Sequence, residues 1–322
     1  MKATSLVGVD LGGTFVRVGV LDVGQVRFLA FNRAPIEANR GPQVGVETII
    51  NIIEKTIAES GRGQIDGIGM GATGPVDRLR GLIQNPYTLP GWENVDILKP
   101  LGDRFGVPVI LENDADTAAL GEYWNGAGRN VSRLYAITVG TGIGTAFILN
   151  GEIYRGLNGA HPDGGHQILD PAGPQCYCGA RGCWESLASG SAIARFAQEQ
   201  ISANTSSLLY SLAGGDSNQI DAKMVAEAAQ QGDPLAVTVI EKAAHYFSLG
   251  LVNVITLFVP EMIVLSGGVM KSSHIFMPAI GKALAAHDVM VPAKQVRILP
   301  AQLGYIAGCV GAAYAILQKL KE

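Results

Sequence analysis

The densest group of chemically capable side chains is His166, Cys176, Cys178 and Cys183, in HQILDPAGPQCYCGARGC. One imidazole and three thiolates complete a tetrahedral Zn²⁺ shell, and an ion with no open position is structural rather than catalytic. The C-x-C spacing departs from the usual C-x2-C, and unmetallated thiols in a loop are the alternative. Asp163 lies just before His166 and Glu185 just after Cys183, so a metal-clamped loop would carry a carboxylate at each end. The imidazole nitrogen not given to the metal can hydrogen-bond. Together these groups make a platform for reading hydroxyls. Cys309, in the apolar segment 307–315, reads as an ordinary buried thiol.

Glu112-Asn113-Asp114 follows the apolar run 107–111. A carboxylate at such a strand end can take the proton from a hydroxyl as its oxygen attacks phosphorus, which gives Asp114 a general-base role. The alternative is that Asp114 or Asp116 caps the helix that follows. Asn113 offers a donor and an acceptor, which suits a sugar hydroxyl. Three glycine-rich strand ends are candidate phosphate cradles, because freed backbone N–H groups can converge on an anion. They are Asp10 to Thr14 with Gly12 and Gly13, the turn Gly140-Thr141-Gly142, and Ser266-Gly267-Gly268. Neither a G-x-x-x-x-G-K-[ST] loop nor a G-x-G-x-x-G opening a helix is present. Asp10 beside its glycines could orient a hydrated Mg²⁺, which needs only one or two carboxylates.

These groups must be held by strands and helices. Apolar 6–9 runs into Asp10, and 15–21 then stops at Asp22: strand, glycine turn, strand. The arrangement returns at 134–137, the 138–142 turn and 143–149, with Asn150-Gly151 as a hairpin turn. Two such hairpins suggest a duplicated unit, with a chance likeness between two glycine-rich turns as the alternative. Helical spacing covers 44–60, 222–231 and 233–259, and a helix over 117–124 follows Asp114. Strands are predicted at 66–71, 107–111 and 262–265. Alternating strand, turn and helix means α/β, with sites where strands end in loops.

Composition limits the function. In 322 residues, 24 Lys+Arg against 28 Asp+Glu give a net charge of −4, with 48% hydrophobic residues. That excludes disorder for most of the chain, and the length allows two domains. No basic run marks a nucleic-acid surface. The apolar stretch 247–259 is shorter than the roughly 20 residues needed to cross a bilayer, so no membrane partner is expected. No signal peptide is read at the N-terminus. Four cysteines in so long a chain do not make a secreted disulfide scaffold, and a reducing cytoplasm is the economical setting.

Taken together, the motifs resemble the ROK family of sugar kinases and sugar-responsive repressors, most of all its bacterial glucokinase branch. DLGGT (10–14), GATGPVD (71–77), LPGW (89–92), END (112–114), VGTGIG (139–144), CYCGARGCWE (176–185) and LSGGV (265–269) follow in family order over nearly the whole chain. The resemblance implies an actin/hexokinase-like fold, a duplicated ribonuclease H-like α/β unit in two domains with an interdomain cleft. The first domain would be 1–117 plus about 308–322, the second 118–307 with the zinc loop.

The same resemblance implies ATP-dependent phosphorylation of an aldohexose, glucose first, at its 6-hydroxyl. It makes Asp114 the base, and Thr88, Asn113, Asp114, Asp163, His166 and Glu185 the sugar ligands. His166 also joins Cys176, Cys178 and Cys183 on one structural zinc. Asp10, Gly12, Gly13, Thr14, Gly140, Thr141, Gly142, Gly267 and Gly268 would hold Mg-ATP. A homo-oligomer, dimer or tetramer, is also implied. Two departures bear on the sugar: Asp163 replaces the family's usual Glu, and Thr88 stands where Asn is frequent. They keep N-acetylmannosamine, mannose, fructose and allose open as substrates. The repressor reading lacks a recognition helix, since Asp10 falls close to Met1.

Overall fold

The computed structural model describes residues 4–201, 206–286 and 290–322. Contacts divide the chain into two compact units, Met1–Ser132 with Phe147–Tyr154 and Ala301–Glu322, and Arg133–Ala146 with Arg155–Pro300.

The first unit is built on a five-stranded sheet of β1 (Ser5–Leu11), β2 (Phe15–Asp22), β3 (Arg27–Pro35), β4 (Gly67–Ala72) and, later in the chain, β8 (Val109–Asn113). Its order is β3-β2-β1-β4-β8, with β1–β2 and β2–β3 antiparallel and β1–β4 and β4–β8 parallel. A small antiparallel sheet joins β5 (Val76–Asp77), β6 (Leu82–Gln84) and β7 (Glu93–Asp96). Helices α1 (Pro42–Glu59), α2 (Leu98–Phe105) and α3 (Asp114–Asn125) belong to the same unit.

Side chains alternate across a strand, and β1 uses both faces. Val7, Val9 and Leu11 enter one apolar cluster with Ile49 and Ile53 of α1. Leu6 enters another with Val310, Ala313 and Ile316 of the C-terminal helix α10 (Ala307–Lys319; α4 to α9 are given below). This second layer packs backbone to backbone. A Cβ on Gly8 or Gly69 would stand 1.8 Å from the carbonyl oxygen of Cys309 or Ala312, and one on Gly311 would stand 1.6 Å from that of Thr117. Residues 118–132, expected in the second domain, belong to the first because α3 runs against α10 in this way. The unit resumes at Ala301 because the buried Glu122 carboxylate of α3 accepts the amides of Gln302 (3.1 Å) and Leu303 (2.8 Å).

The second five-stranded sheet contains β9 (Arg133–Val139), β10 (Ile143–Leu149), β11 (Glu152–Ile153), β12 (Met262–Ser266) and β13 (Arg297–Pro300), ordered β11-β10-β9-β12-β13. Numbered within each sheet, the strands follow the same order twice. The two hairpins read from sequence are therefore the same part of a repeated unit. Asn150 (φ 53°) and Gly151 (φ 89°) make the expected hairpin turn.

Helices α4 (Trp184–Ala188), α5 (Gly190–Gln200), α6 (Leu208–Leu212), α7 (Ala222–Gln230), α8 (Pro234–Phe258) and α9 (Ser273–Ala286) belong to the second unit. By length and composition α8 could cross a bilayer. Here its buried side, including Ala243, Phe247, Gly250 and Leu251, is spent against α4, α5, α7 and α9. Trp184, fully buried, packs on Phe247 with ring centroids 5.4 Å apart and so anchors α4 to α8.

Candidate functional site

In the first unit, parallel pairing lines up three of the motifs. Leu11 sits opposite Ala72, and Ala72 opposite Asn113, so β1, β4 and β8 end at one sheet edge. That edge delivers Gly12-Gly13-Thr14, Thr73-Gly74 and Asp114 side by side, where open α/β sheets bind their ligands. The hairpin turn is tight, with Gly12 N donating to Phe15 O at 3.0 Å. Asp10 accepts from Arg17 Nη1 at 3.0 Å, yet burial pushes its carboxyl above the usual range. Gly308 at the start of α10 lies against that carboxylate, where a Cβ would come within 2.8 Å of Asp10 Cγ.

Thr88 closes over Gly13, whose added Cβ would stand 2.9 Å from the Thr88 carbonyl oxygen. Its hydroxyl accepts from Nδ2 of the fully buried Asn85 at 2.7 Å, and Asn85 Oδ1 accepts the Thr88 amide at 3.0 Å. Thr88 is thereby fixed against the glycine loop, with its hydroxyl still able to donate once.

Helix α3 begins at Asp114, earlier than the spacing predicted, and Asn113 is its N-cap: Oδ1 accepts from Ala115 N (2.8 Å) and Asp116 N (3.4 Å). The capping role expected as the alternative for Asp114 or Asp116 is filled by Asn113 instead. The cap occupies the Asn113 acceptor and leaves Nδ2 as what it can offer a ligand. Nδ2 has room because Gly74 has no side chain; a Cβ there would be 2.7 Å away. Asp114 Oδ1 also accepts the Ala115 amide at 2.8 Å. Glu112, buried, pairs with Arg78 Nε at 3.3 Å just behind the motif. Arg78 and Asn85 were not singled out from sequence. A Pro after Asn85 hints at an Asx turn, while nothing local links Arg78 to Glu112.

In the second unit, Ser266 sits opposite Thr138, their hydroxyls 2.8 Å apart, so the turns after β9 and β12 share a sheet edge. Gly267 takes φ 94°, and a Cβ there would meet Val139 O at 2.3 Å. Gly268 has open space around it. Gly140 N donates to Gly142 O at 2.9 Å, and the turn is tied to the α4–α5 corner by Gly190 N donating to Gly140 O at 2.8 Å. Glu185 joins it too: Oε2 accepts Ile143 N at 2.8 Å, in space that a Cβ on Gly142 would fill. Burial pushes the Glu185 carboxyl up, against the lowering effect of that amide and of His166.

The zinc-ligand candidates come together. One ligand atom from each of His166, Cys176, Cys178 and Cys183 lies within 4.8 Å of all the others. Cys176 Sγ is 3.5 Å from His166 Nδ1, and Cys178 Sγ is 3.5 Å from Cys183 Sγ. A tetrahedral zinc with Zn–S of about 2.3 Å and Zn–N of about 2.0 Å spaces its ligands by roughly 3.5–3.8 Å. The donor set therefore fits zinc in number, type and spacing. Burial pushes the Cys183 thiol up to about 12 and that of Cys176 upward, whereas the Ala180 amide holds Cys178 low. The loop is closed by Cys176 N donating to Ala180 O at 2.8 Å and Trp184 N donating to Gln167 O at 2.8 Å. With Nδ1 turned to the thiols, His166 Nε2 faces Tyr177 OH at 3.2 Å and Asp163 Oδ2 at 3.6 Å. Tyr177 was passed over in the sequence; its position between two thiol ligands was the signal available. Cys309, outside the set, is fully buried with Sγ 3.4 Å from Arg17 O.

The ROK family profile matches residues 6–319. A glucokinase of Thermotoga maritima is 33% identical over 321 residues, 99% of each chain. The ROK hexokinase of Thermus thermophilus superposes with a TM-score of 0.83 at 32% identity, covering 99% of both chains. A ROK family glucokinase of Streptomyces griseus, solved with glucose and AMPPNP, gives 0.78 at 33% identity, covering 97% of this chain and 98% of that one. The chain belongs to the ROK family. Its two sheets of repeated strand order are the duplicated α/β unit of the actin/hexokinase-like fold.

Proposed function

We propose that the protein is an ATP-dependent sugar kinase that phosphorylates an aldohexose, glucose first, at the 6-hydroxyl. The family membership and the ATP-analogue complex of the Streptomyces griseus relative support the kinase reading, and the glucokinase relatives support glucose. The observation that carries it is the shared edge of β1, β4 and β8, which holds a carboxylate, Asp114, at the same end of the sheet as the Gly12-Gly13 turn, with β4 between them.

In this reading Asp114 accepts the hydroxyl proton as the 6-oxygen bonds to the γ-phosphorus, and the bond from that phosphorus to the β,γ-bridging oxygen breaks to release ADP. The N–H groups of Gly12, Gly13 and Thr14, and of the Gly140–Gly142 and Gly267–Gly268 turns, hold the phosphates of Mg-ATP. Asp10 orients the hydrated Mg²⁺ that comes with the nucleotide. Asn113 donates through Nδ2, and Asp163, His166 Nε2 and Glu185 read the remaining hydroxyls. Thr88 backs the glycine loop and offers its remaining donor to the sugar. A zinc ion on His166, Cys176, Cys178 and Cys183 would supply structural rigidity alone, holding the imidazole and Glu185 in register.

The test is ADP release coupled to an indicator reaction, over glucose, mannose, fructose, allose and N-acetylmannosamine. Glucose should give the highest kcat/KM. A preference of tenfold or more for another sugar contradicts the glucose assignment, and no hexose-dependent ADP release contradicts the kinase itself.

A further inference from the structure

We propose that the Tyr177 hydroxyl occupies, in the sugar-free protein, the place of the sugar hydroxyl that His166 and Glu185 read, so that hexose binds by displacing it. This rests on the sugar-reading role given above to those two residues.

Tyr177 is 66% exposed and projects from the loop between Cys176 and Cys178, so no core packing obliges it to fold back. Its hydroxyl nevertheless lies 3.2 Å from His166 Nε2, with the phenol ring edge-on to the imidazole at 87° and 5.1 Å between centroids. The Glu185 carboxylate acts on the same phenol.

The direction of these bonds follows from the neighbours. His166 Nδ1 is turned to the thiols, 3.5 Å from Cys176 Sγ, so the tautomer that fits carries its proton on Nε2 and donates to the phenol oxygen. Glu185, whose Oε2 already accepts Ile143 N, is an acceptor when ionised, so the phenol O–H is the group that can donate toward it. The phenol thus accepts once and donates once between an imidazole and a carboxylate. A sugar hydroxyl has the same inventory, one donor and two acceptor lone pairs, and satisfies the same two partners in the same sense.

Two oxygens cannot stand at one point. The site therefore starts with its two partners satisfied, and an incoming hexose gains only the difference between its own hydrogen bonds and those the tyrosine gives up. Tyr177 acts as a tethered competitor that lowers affinity. It also discriminates, because a sugar lacking a hydroxyl at that point cannot replace what is lost.

The test is isothermal titration calorimetry of the full-length, metal-loaded protein without nucleotide, using the hexose that turns over best in the panel. Tyr177→Phe should bind it roughly three- to tenfold more tightly than the wild type, the range expected when one modest hydrogen bond no longer has to be broken. Tyr177→Ala, which removes the ring as well, should shift the same way. Melting temperature and metal content verify that the variants are folded and loaded. Unchanged or weaker binding in both variants overturns the proposal while leaving the kinase reading intact. A wild type that binds and phosphorylates no hexose overturns both.

Discussion

Asp233 accepts the amides of Ala236 at 2.9 Å and Leu208 at 2.7 Å while only 8% exposed, capping α8 and fastening the start of α6 to it. Burial alone would raise its carboxyl; the amides of Ala236 and Leu208 outweigh that and hold it below the ordinary value. A folded pKa below the unfolded one, about 3.9, contributes stability above that value, and the contribution is lost as pH falls through the lower folded pKa. Asp233→Ala should therefore cost about 1–2 kcal/mol at pH 7. The gap to wild type should narrow below roughly pH 4. Urea unfolding at pH 7 and pH 3 measures both, and a gap that stays constant contradicts the account. Asn113 belongs to the same scale. Its Oδ1 is committed to the α3 amides, a constraint that the letters END do not carry.

Among the elements, the loop from His166 to Cys183 has little regular structure, and the four zinc-ligand candidates cluster on it. Chelation, or Cys178→Ser, should lower the melting temperature and weaken hexose binding together, because the imidazole and Glu185 ride on the same clip. Metal analysis alongside the melting curve verifies this. Active, carefully purified protein without stoichiometric zinc contradicts it. The seat of α10 on the sheet gives a second element-scale prediction. Gly69→Ala puts a methyl group 1.8 Å from the Ala312 carbonyl oxygen, so the helix must move. A loss of about 3 kcal/mol or more in chemical denaturation is expected, and a loss below about 1 kcal/mol would mean that the layers slide freely.

At the scale of the whole molecule, the sequence made most of the architecture legible. Motifs at strand ends are contiguous, and helical periodicity marked α1, α7 and α8 within about two residues, the usual uncertainty of boundaries. Two matching hairpins announced the repeat. What stayed hidden depends on contacts far apart in the chain. Arg78 meets Glu112, and Glu122 holds the amides of Gln302 and Leu303. Glycines were the other blind spot. Gly8 and Gly69 admit a helix, while Gly12 and Gly13 form a turn, and composition cannot separate the two uses. The edge strand β3 carries charged and small residues among its apolar ones and gave no clean alternation.

Repetition of the α/β unit gives the molecule two sets of strand-end turns, and the proposed reaction uses both for phosphate and one carboxylate for the proton. Asp114→Asn is the most direct measurement of that claim. Asparagine keeps the Oδ1 acceptor for the Ala115 amide, so the start of α3 is preserved. A kcat lower by about 10²- to 10⁴-fold, with hexose affinity largely kept, is the expected result. Turnover close to that of the wild type would contradict it.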